Sequence, residues 1–378
     1  MTASRKGVVA GLLAVNVAVL GWLVLASGYR VDLDVYRVAV DVWWHGGDLY
    51  GQLPVLRDGT YLPFIYPPFA VVPLAPFALM PYGLASVVFA VLTVAAVALV
   101  AVLVLRSLDV RPTALLVGAV VPVALVLEPV RETLHFGQIN VFLMALVVLD
   151  CLVRSPRWPR GLLVGLAAAI KLTPLVFVLF LLLRGDRRAA LVAVLSFLCA
   201  TGVGFLLSWS NSVRFWTEQV LFGTQSRGMS NPINQSLKVT LVRLGSDGQA
   251  WWPLLALAVL AVTVVAMRRA LSADQVTWTM GFNALAGLLV SPVSYSHHWV
   301  WAVPILLTGW VTAWRTRQWF AIAVAAGGTL LFVLGPHWWW APGAPWTTWH
   351  LLLGNAYVIA AVVILAGSLW RKTALPGT

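Results

Sequence analysis

Long apolar runs alternate with short polar connections along almost the whole chain. A helix that crosses about 30 Å of hydrocarbon needs about 20 mostly apolar residues, since each residue adds about 1.5 Å. Ten stretches meet or nearly meet this requirement, which predicts an all-α polytopic membrane protein forming a single domain over residues 1–378. The predicted spans are 8–27, 84–105, 113–128, 139–153, 189–208, 251–267, 276–293, 299–314, 319–334 and 351–370.

An eleventh apolar stretch, residues 161–183, is long enough for one span but has arginines on both sides. A single crossing would place one arginine cluster on the wrong face of the membrane. Lys171 and Pro174 lie near its centre, and proline interrupts helical hydrogen bonding. We therefore expect a short helical hairpin of two half-helices, broken near Lys171.

Composition excludes a soluble protein. Hydrophobic residues make up 61% of the chain and charged residues 10%, whereas soluble domains carry about 25% charged residues. In a membrane protein the distribution of basic residues indicates how the chain is oriented across the bilayer. With the N-terminus inside, sixteen Lys and Arg residues fall in inner connections and eight in outer ones, within a net charge of +12. This distribution predicts a cell-membrane protein with cytoplasmic N- and C-termini, and it makes a nucleic-acid partner unnecessary. The two cysteines lie in apolar runs, which argues against a disulfide framework or a cysteine metal cluster.

Most polar chemistry falls on the outer side under this topology. All six histidines and nine of the thirteen acidic residues lie in outer segments. The main ones are the outer loops 28–82 and 209–250 and the junction 291–298. Longer loops contain more polar residues whatever their function. The clustering also fits an active site that faces outward, and we favour that interpretation.

The first outer loop begins with two carboxylates, Asp32 and Asp34, directly after the first predicted span. Apolar residues then recur at helical spacing over 35–43, which predicts an amphipathic helix lying in the membrane interface. Either carboxylate is a candidate general base or a simple helix N-cap. Tyr66 precedes two prolines that turn the chain back toward the bilayer, although the aromatic residues here also fit an interfacial belt.

Amide side chains recur at two further outer positions. Gln138 and Asn140 open one span, and Asn234 and Gln235 lie in the second long outer loop. These amides can bind sugar hydroxyls, or they can cap helices.

Adjacent histidines, His297 and His298, lie where one span ends and the next begins. Neighbouring side chains on a helix point in different directions, so hydrogen bonding to an anionic group is favoured over shared metal ligation. The chain contains no H-E-x-x-H motif or comparable ligand cluster, and we predict metal independence.

Taken together, these motifs resemble the polyprenol-phosphate-mannose-dependent mannosyltransferases of glycosyltransferase family 87, multi-spanning enzymes of the GT-C fold. The shared pattern is D-L-x-V-Y, G-x-x-L-Y, P-F-x-Y-P-P-F, G-Q-x-N, K-x-x-P, N-Q-S and S-P-x-S-W-x-H-H. The matches are residues 32–36, 46–50, 63–69, 137–140, 171–174, 234–236 and 291–298. Two positions depart from it, because Asp34 fills the variable place of the first motif and Tyr295 stands where tryptophan is commoner.

The resemblance implies an inverting transfer of mannose from a β-linked polyprenyl phosphate to a hydroxyl of a glycolipid or glycan, with an α-1,2 linkage favoured and no cofactor. The predicted topology agrees, since nucleotide sugars are cytoplasmic and an outward-facing transferase needs a lipid-linked donor. The nearest alternative is a transferase that uses polyprenyl-phosphoarabinose, and the alternative from another class is a lipid or sugar transporter.

The predicted site residues fall into three roles. The general base is Asp32, with Asp34 as second choice. The candidates for binding the donor phosphate are His297, His298, Lys171, Lys238 and Arg131. The candidates for binding the sugar or acceptor are Tyr36, Tyr66, Gln138, Asn140, Asn234 and Gln235.

Overall fold

The computed structural model describes residues 28–220, 231–246, 248–340 and 346–370, together with 7, 11, 14–16, 18–19 and 21; the side chains of Gln249 and Trp370 are excepted. Within these ranges the regular elements are helical, and an antiparallel bridge joins Asn234 to Tyr295. The α-helices are α1 (Val31–Trp44), α2 (Val71–Ala78), α3 (Tyr82–Ser107), α4 (Ala114–Val126), α5 (Glu128–Phe136), α6 (Asn140–Leu152), α7 (Leu162–Ile170), α8 (Phe177–Leu183), α9 (Arg187–Leu207), α10 (Trp209–Arg214), α11 (Leu237–Arg243), α12 (Gly248–Ser272), α13 (Val276–Val290), α14 (Ala302–Thr316), α15 (Trp319–Leu334), α16 (Thr348–Gly354) and α17 (Ala356–Trp370).

In the described part of the chain, three helices are long and apolar enough to cross a membrane, namely α3, α9 and most of α12. Two bent pairs, α4 with α5 and α16 with α17, raise the number to five if each pair is one span. In the described residues the all-α class is confirmed, and the apolar helices agree with a membrane protein, while the ten-span arrangement stays a prediction. More than half of the first predicted span, 8–27, falls outside the described residues.

Two predicted spans are not straight helices. Within the predicted span 113–128, helix α4 ends at Val126. The next helix, α5, leaves at 72° because Leu127 is extended and Pro129 lies in the first turn of α5. Residues 351–370 bend by 65° between α16 and α17. The first bend matters most, because it directs α5 toward the polar turn that follows it at Gly137.

The apolar stretch 161–183 is broken at Lys171, as the sequence predicts. Lys171 has an extended backbone (φ −151°, ψ 129°), and a 3-10 turn, Thr173–Val176, leads into α8. Arg160 and Arg184, at opposite ends of the stretch, both donate hydrogen bonds to the Cys151 carbonyl, at 3.4 and 2.8 Å. The two half-helices therefore leave and return to the same end of the bundle, and Lys171 lies near the tip of a hairpin.

The hairpin is held by close packing and by a buried carboxylate. A Cβ at Gly165 would lie 2.3 Å from the Ala193 carbonyl oxygen, so α7 approaches α9 too closely for any larger residue. Asp150, at the end of α6, accepts hydrogen bonds from the backbone N–H groups of Gly161 and Val164, both at 2.9 Å. These contacts fix the position of Lys171 relative to α6.

A second close approach brings α1 to the turn between α5 and α6. Gly137 ends α5 with φ 77°, a left-handed conformation that favours glycine. A Cβ at this position would lie 2.8 Å from Leu33 Cβ. Because the start of α1 rests directly on Gly137, Asp32 comes beside the next residue, Gln138.

Candidate active site

The Asp32 carboxylate is half-buried in the first turn of α1. Its Oδ2 accepts a hydrogen bond from Gln138 Nε2 at 2.7 Å. Burial raises the pKa of Asp32 to about 6, although the Gln138 hydrogen bond and the positive charge of Lys171 act in the opposite direction. At neutral pH this carboxylate is ionised, yet it is more basic than an exposed aspartate, which suits a general base.

Asp34 occupies a different environment. Two residues along a helix correspond to a rotation of about 200°, so Asp34 faces away from Asp32. Its Oδ2 accepts hydrogen bonds from the Tyr29 hydroxyl at 2.8 Å and from the Arg57 backbone N–H at 3.1 Å. The Arg57 guanidinium also lies 3.5 Å from the other oxygen. Neither carboxylate is the helix N-cap, since that position belongs to Arg30.

Gln138 connects Asp32 to two buried tyrosines. Its Oε1 accepts from the hydroxyls of Tyr36 and Tyr66, at 3.2 and 3.0 Å, and these hydroxyls lie 2.9 Å apart. Because its carbonyl faces the phenols, the Gln138 amide nitrogen must face Asp32. Burial raises the pKa of both tyrosines, which keeps them neutral hydrogen-bond donors.

Lys171 forms the cationic part of the site. Its Nζ lies 2.9 Å from Asn140 Oδ1, 3.1 Å from His298 Nε2 and 5.3 Å from the centre of the Tyr66 ring. An ammonium group only donates hydrogen bonds, so His298 accepts at Nε2 and carries its proton on Nδ1. Burial, together with Lys171 and His297, holds the pKa of His298 well below its usual range, in agreement with a neutral ring.

Asp32 and His298 consequently belong to one continuous network. It runs from Asp32 through Gln138 to Tyr66, whose ring faces Lys171, and from Lys171 to His298. Asp32 and Lys171 both retain partial exposure, so the network is not sealed in the core. A cavity of about 40 Å³ borders Asn140 and His298, which is room for water but not for a sugar.

His297 is buried beside its neighbour. Its ring lies between Phe136 and Tyr295, with centroids 5.5 and 5.6 Å away, and its carbonyl accepts from Asn140 Nδ2 at 3.0 Å. Burial, helped by Lys171, lowers the pKa of His297 to about 3, so the ring is neutral at physiological pH.

Asn234 and Gln235 are fully buried, and their side chains form hydrogen bonds with backbone groups rather than lining an open cleft. Asn234 Oδ1 accepts from the Ser294 N–H at 3.0 Å, and the Gln235 N–H donates to the Ser294 carbonyl at 2.7 Å. Gln235 Nε2 also donates to the Gly354 carbonyl at 2.6 Å. The pair thus supports the segment that leads into His297 and His298.

The two remaining predicted cations lie elsewhere. Lys238 Nζ is 5.7 Å from the Trp252 ring centre, and Arg131 Nε pairs with Glu132 at 3.2 Å. In the described ranges no hydrogen bond joins either side chain to the network of Asp32 and Lys171. The same residues contain no group of three or more His, Cys, Asp or Glu side chains placed to hold a metal ion.

Thr133 supports the site although no sequence motif indicates it. This residue of α5 is fully buried, and its hydroxyl donates to the His297 carbonyl at 3.3 Å. Its partner lies 164 residues away, so no local pattern indicates the contact.

The site contains a carboxylate with a raised pKa, Asp32, and a lysine–imidazole pair, Lys171 and His298. A membrane-bound group-transfer enzyme needs such a base and such donors to an anionic leaving group. The model of glycosyltransferase family 87 matches residues 64–292, more than half of the chain. The chain belongs to glycosyltransferase family 87.

Similar curated proteins come from mycobacteria. A polyprenol-phosphate-mannose-dependent alpha-(1-2)-phosphatidylinositol mannoside mannosyltransferase of Mycobacterium tuberculosis is 38% identical over 369 residues, covering 90% of this chain and 84% of the relative. The protein of the same description from Mycolicibacterium smegmatis is 40% identical, covering 92% of this chain and 86% of its own. A phosphatidylinositol pentamannoside mannosyltransferase of M. tuberculosis is 33% identical over 64% of this chain and 58% of its own. No solved structure matches significantly.

Proposed function

We propose that this protein transfers mannose from a polyprenyl-phosphate carrier to a hydroxyl of a phosphatidylinositol mannoside, forming an α-1,2 linkage with inversion at the anomeric carbon. The two relatives at 38% and 40% identity, which match most of the chain, carry that description. The observation that supports the chemistry most is the network linking Asp32 to the Lys171–His298 pair.

Asp32 is the general base of the proposed reaction. It accepts the proton of the acceptor hydroxyl while the oxygen attacks the anomeric carbon and the bond to the carrier phosphate breaks. General base catalysis of this kind contributes about 10² to 10⁴ in rate. The partial exposure of Asp32 gives an acceptor hydroxyl access to it.

Lys171 and His298 stabilise the leaving group. The carrier phosphate changes from a diester to a monoester and gains negative charge as the sugar departs. Two Lys171 protons are engaged by Asn140 and His298, and the third is available to a phosphate oxygen. Positioned donors of this kind contribute most when they are already oriented before the reaction.

The surrounding architecture is, in this proposal, a GT-C fold of about ten spans plus the hairpin, with cytoplasmic termini and a site that faces outward. The Lys and Arg asymmetry supports this orientation. An outward site agrees with a carrier whose polyprenyl tail stays in the bilayer while its sugar phosphate reaches Lys171.

A transfer assay with two labelled donors tests the proposal. Membranes containing the protein receive a phosphatidylinositol mannoside acceptor and either polyprenyl-phosphate-mannose or polyprenyl-phosphoarabinose. We expect label from the mannose donor alone, in a glycolipid that an α-1,2-mannosidase cleaves. Transfer from the arabinose donor alone, or no new glycosidic bond with either donor, would refute the assignment.

A further inference from the structure

A further buried carboxylate, Glu128, lies at the opposite end of α5 from Gln138. It is completely buried. Its Oε1 accepts from Trp338 Nε1 at 2.7 Å and from His337 Nε2 at 3.2 Å, and its Oε2 accepts from the Tyr357 hydroxyl at 2.9 Å. These partners are 209 to 229 residues further along the chain, beyond residue 292 where the family match ends.

The donors come from two separate segments. His337 and Trp338 belong to the 3-10 turn Pro336–Trp339, and Tyr357 belongs to α17. A buried carboxylate is strongly destabilising when it loses its partners. One side chain therefore ties the start of α5 to both C-terminal segments.

The helix α5 transmits that constraint to the candidate active site. It has nine residues, so it spans about 12 Å from Glu128 to Phe136. Along its length Thr133 donates to the His297 carbonyl, and directly after Gly137 comes Gln138, the hydrogen-bond donor to Asp32. We therefore expect a displacement of Glu128 to change the placement of Gln138 and of the turn that carries His297 and His298.

We propose that Glu128 is a positioning residue for the sugar transfer: by holding α5 against the C-terminal segments, it keeps Gln138 in hydrogen-bond contact with Asp32. This inference rests on the proposed function, because it takes Asp32 as the base. Glu128 itself forms no hydrogen bond with Asp32 or Lys171, and it acts through α5.

The pH dependence of kcat/KM separates positioning from a purely structural role. Gln138 lowers the pKa of Asp32, so withdrawal of Gln138 moves the acidic limb to higher pH. Glu128→Gln keeps the side-chain shape but replaces one acceptor oxygen by a donor. We expect kcat/KM at the plateau to fall by about 10-fold to 100-fold, since small displacements from distant substitutions have such effects. The acidic limb should move upward, as it does in Gln138→Met.

A double-mutant cycle makes the test sharper. If Glu128 acts through Gln138, then Glu128→Gln combined with Gln138→Met shifts the limb no further than Gln138→Met alone. If the double variant shifts the acidic limb by the sum of the two single shifts, the proposal is overturned.

Phe332→Leu is the matched control. Phe332 packs on Tyr357 with ring centroids 4.3 Å apart, but it forms no hydrogen bond with Glu128. We expect this variant to lower the melting temperature and to keep the wild-type limb. If Glu128→Gln does not fold, Tyr357→Phe replaces it, because it removes one donor and retains the ring; a smaller upward shift is expected.

Two results would count against different claims. If Glu128→Gln and Tyr357→Phe lower the melting temperature but keep the wild-type acidic limb, as Phe332→Leu does, Glu128 is structural only. If the wild-type enzyme has no acidic limb or transfers no mannose, the proposed function itself fails.

Discussion

Replacing Gln138 by methionine tests how the site tunes its base. The change removes the amide that lies 2.7 Å from Asp32 and keeps a side chain of similar length. A hydrogen bond to a charged group contributes about 1.5 kcal/mol or more, and one pKa unit corresponds to about 1.4 kcal/mol. The pKa of Asp32, about 6 in the native protein, should therefore rise by about one unit.

The direction of the change in activity follows from the role of the base. Asp32 accepts a proton only when it is ionised, so kcat/KM rises with pH and levels off above the pKa. In Gln138→Met the rise should occur about one pH unit higher, while the plateau is reached at alkaline pH. The assay measures kcat/KM for labelled polyprenyl-phosphate-mannose from acidic to alkaline pH in nanodiscs. Superimposable limbs for the two proteins would refute the tuning of Asp32 by Gln138.

Three further predictions concern other parts of the site. Lys171→Met should lower kcat by about 10² to 10³, the usual effect of removing a donor from a developing charge, and an unchanged kcat in a correctly folded variant would contradict the role of Lys171. Gly137→Ala should reduce both the melting temperature and activity, because its Cβ would collide with Leu33 and φ is 77°; a neutral effect on both would show that α1 can move away. Incubation with EDTA should leave transfer unchanged, and activity that is lost on chelation and restored by a divalent ion would show a metal requirement.

Local sequence signals predicted several elements well. The apolar spacing of residues 35–43 predicted α1, and the arginines around residues 161–183 with Pro174 predicted the broken hairpin. Each signal lies within the element that it describes. The composition likewise predicted an all-α membrane protein.

Contacts between distant segments were not accessible in this way. The sequence favoured Asp32 over Asp34 as the base, but it did not show how their surroundings differ, because these depend on which face of α1 meets Gln138 and which meets Tyr29 and Arg57. The burial of Glu128 likewise depends on partners more than 200 residues away. The spacing of apolar residues shows which face of a helix is buried, but not which residues pack against that face.

The most direct test compares Asp32→Asn with Asp34→Asn in single-turnover transfer of mannose. Both variants should remain folded, as judged by size-exclusion profile and melting temperature. We predict that Asp32→Asn abolishes transfer while Asp34→Asn, which alters only the contacts with Tyr29 and Arg57, stays active. Near wild-type turnover in Asp32→Asn with an inactive Asp34→Asn would reverse the two roles, and activity in both would contradict the account.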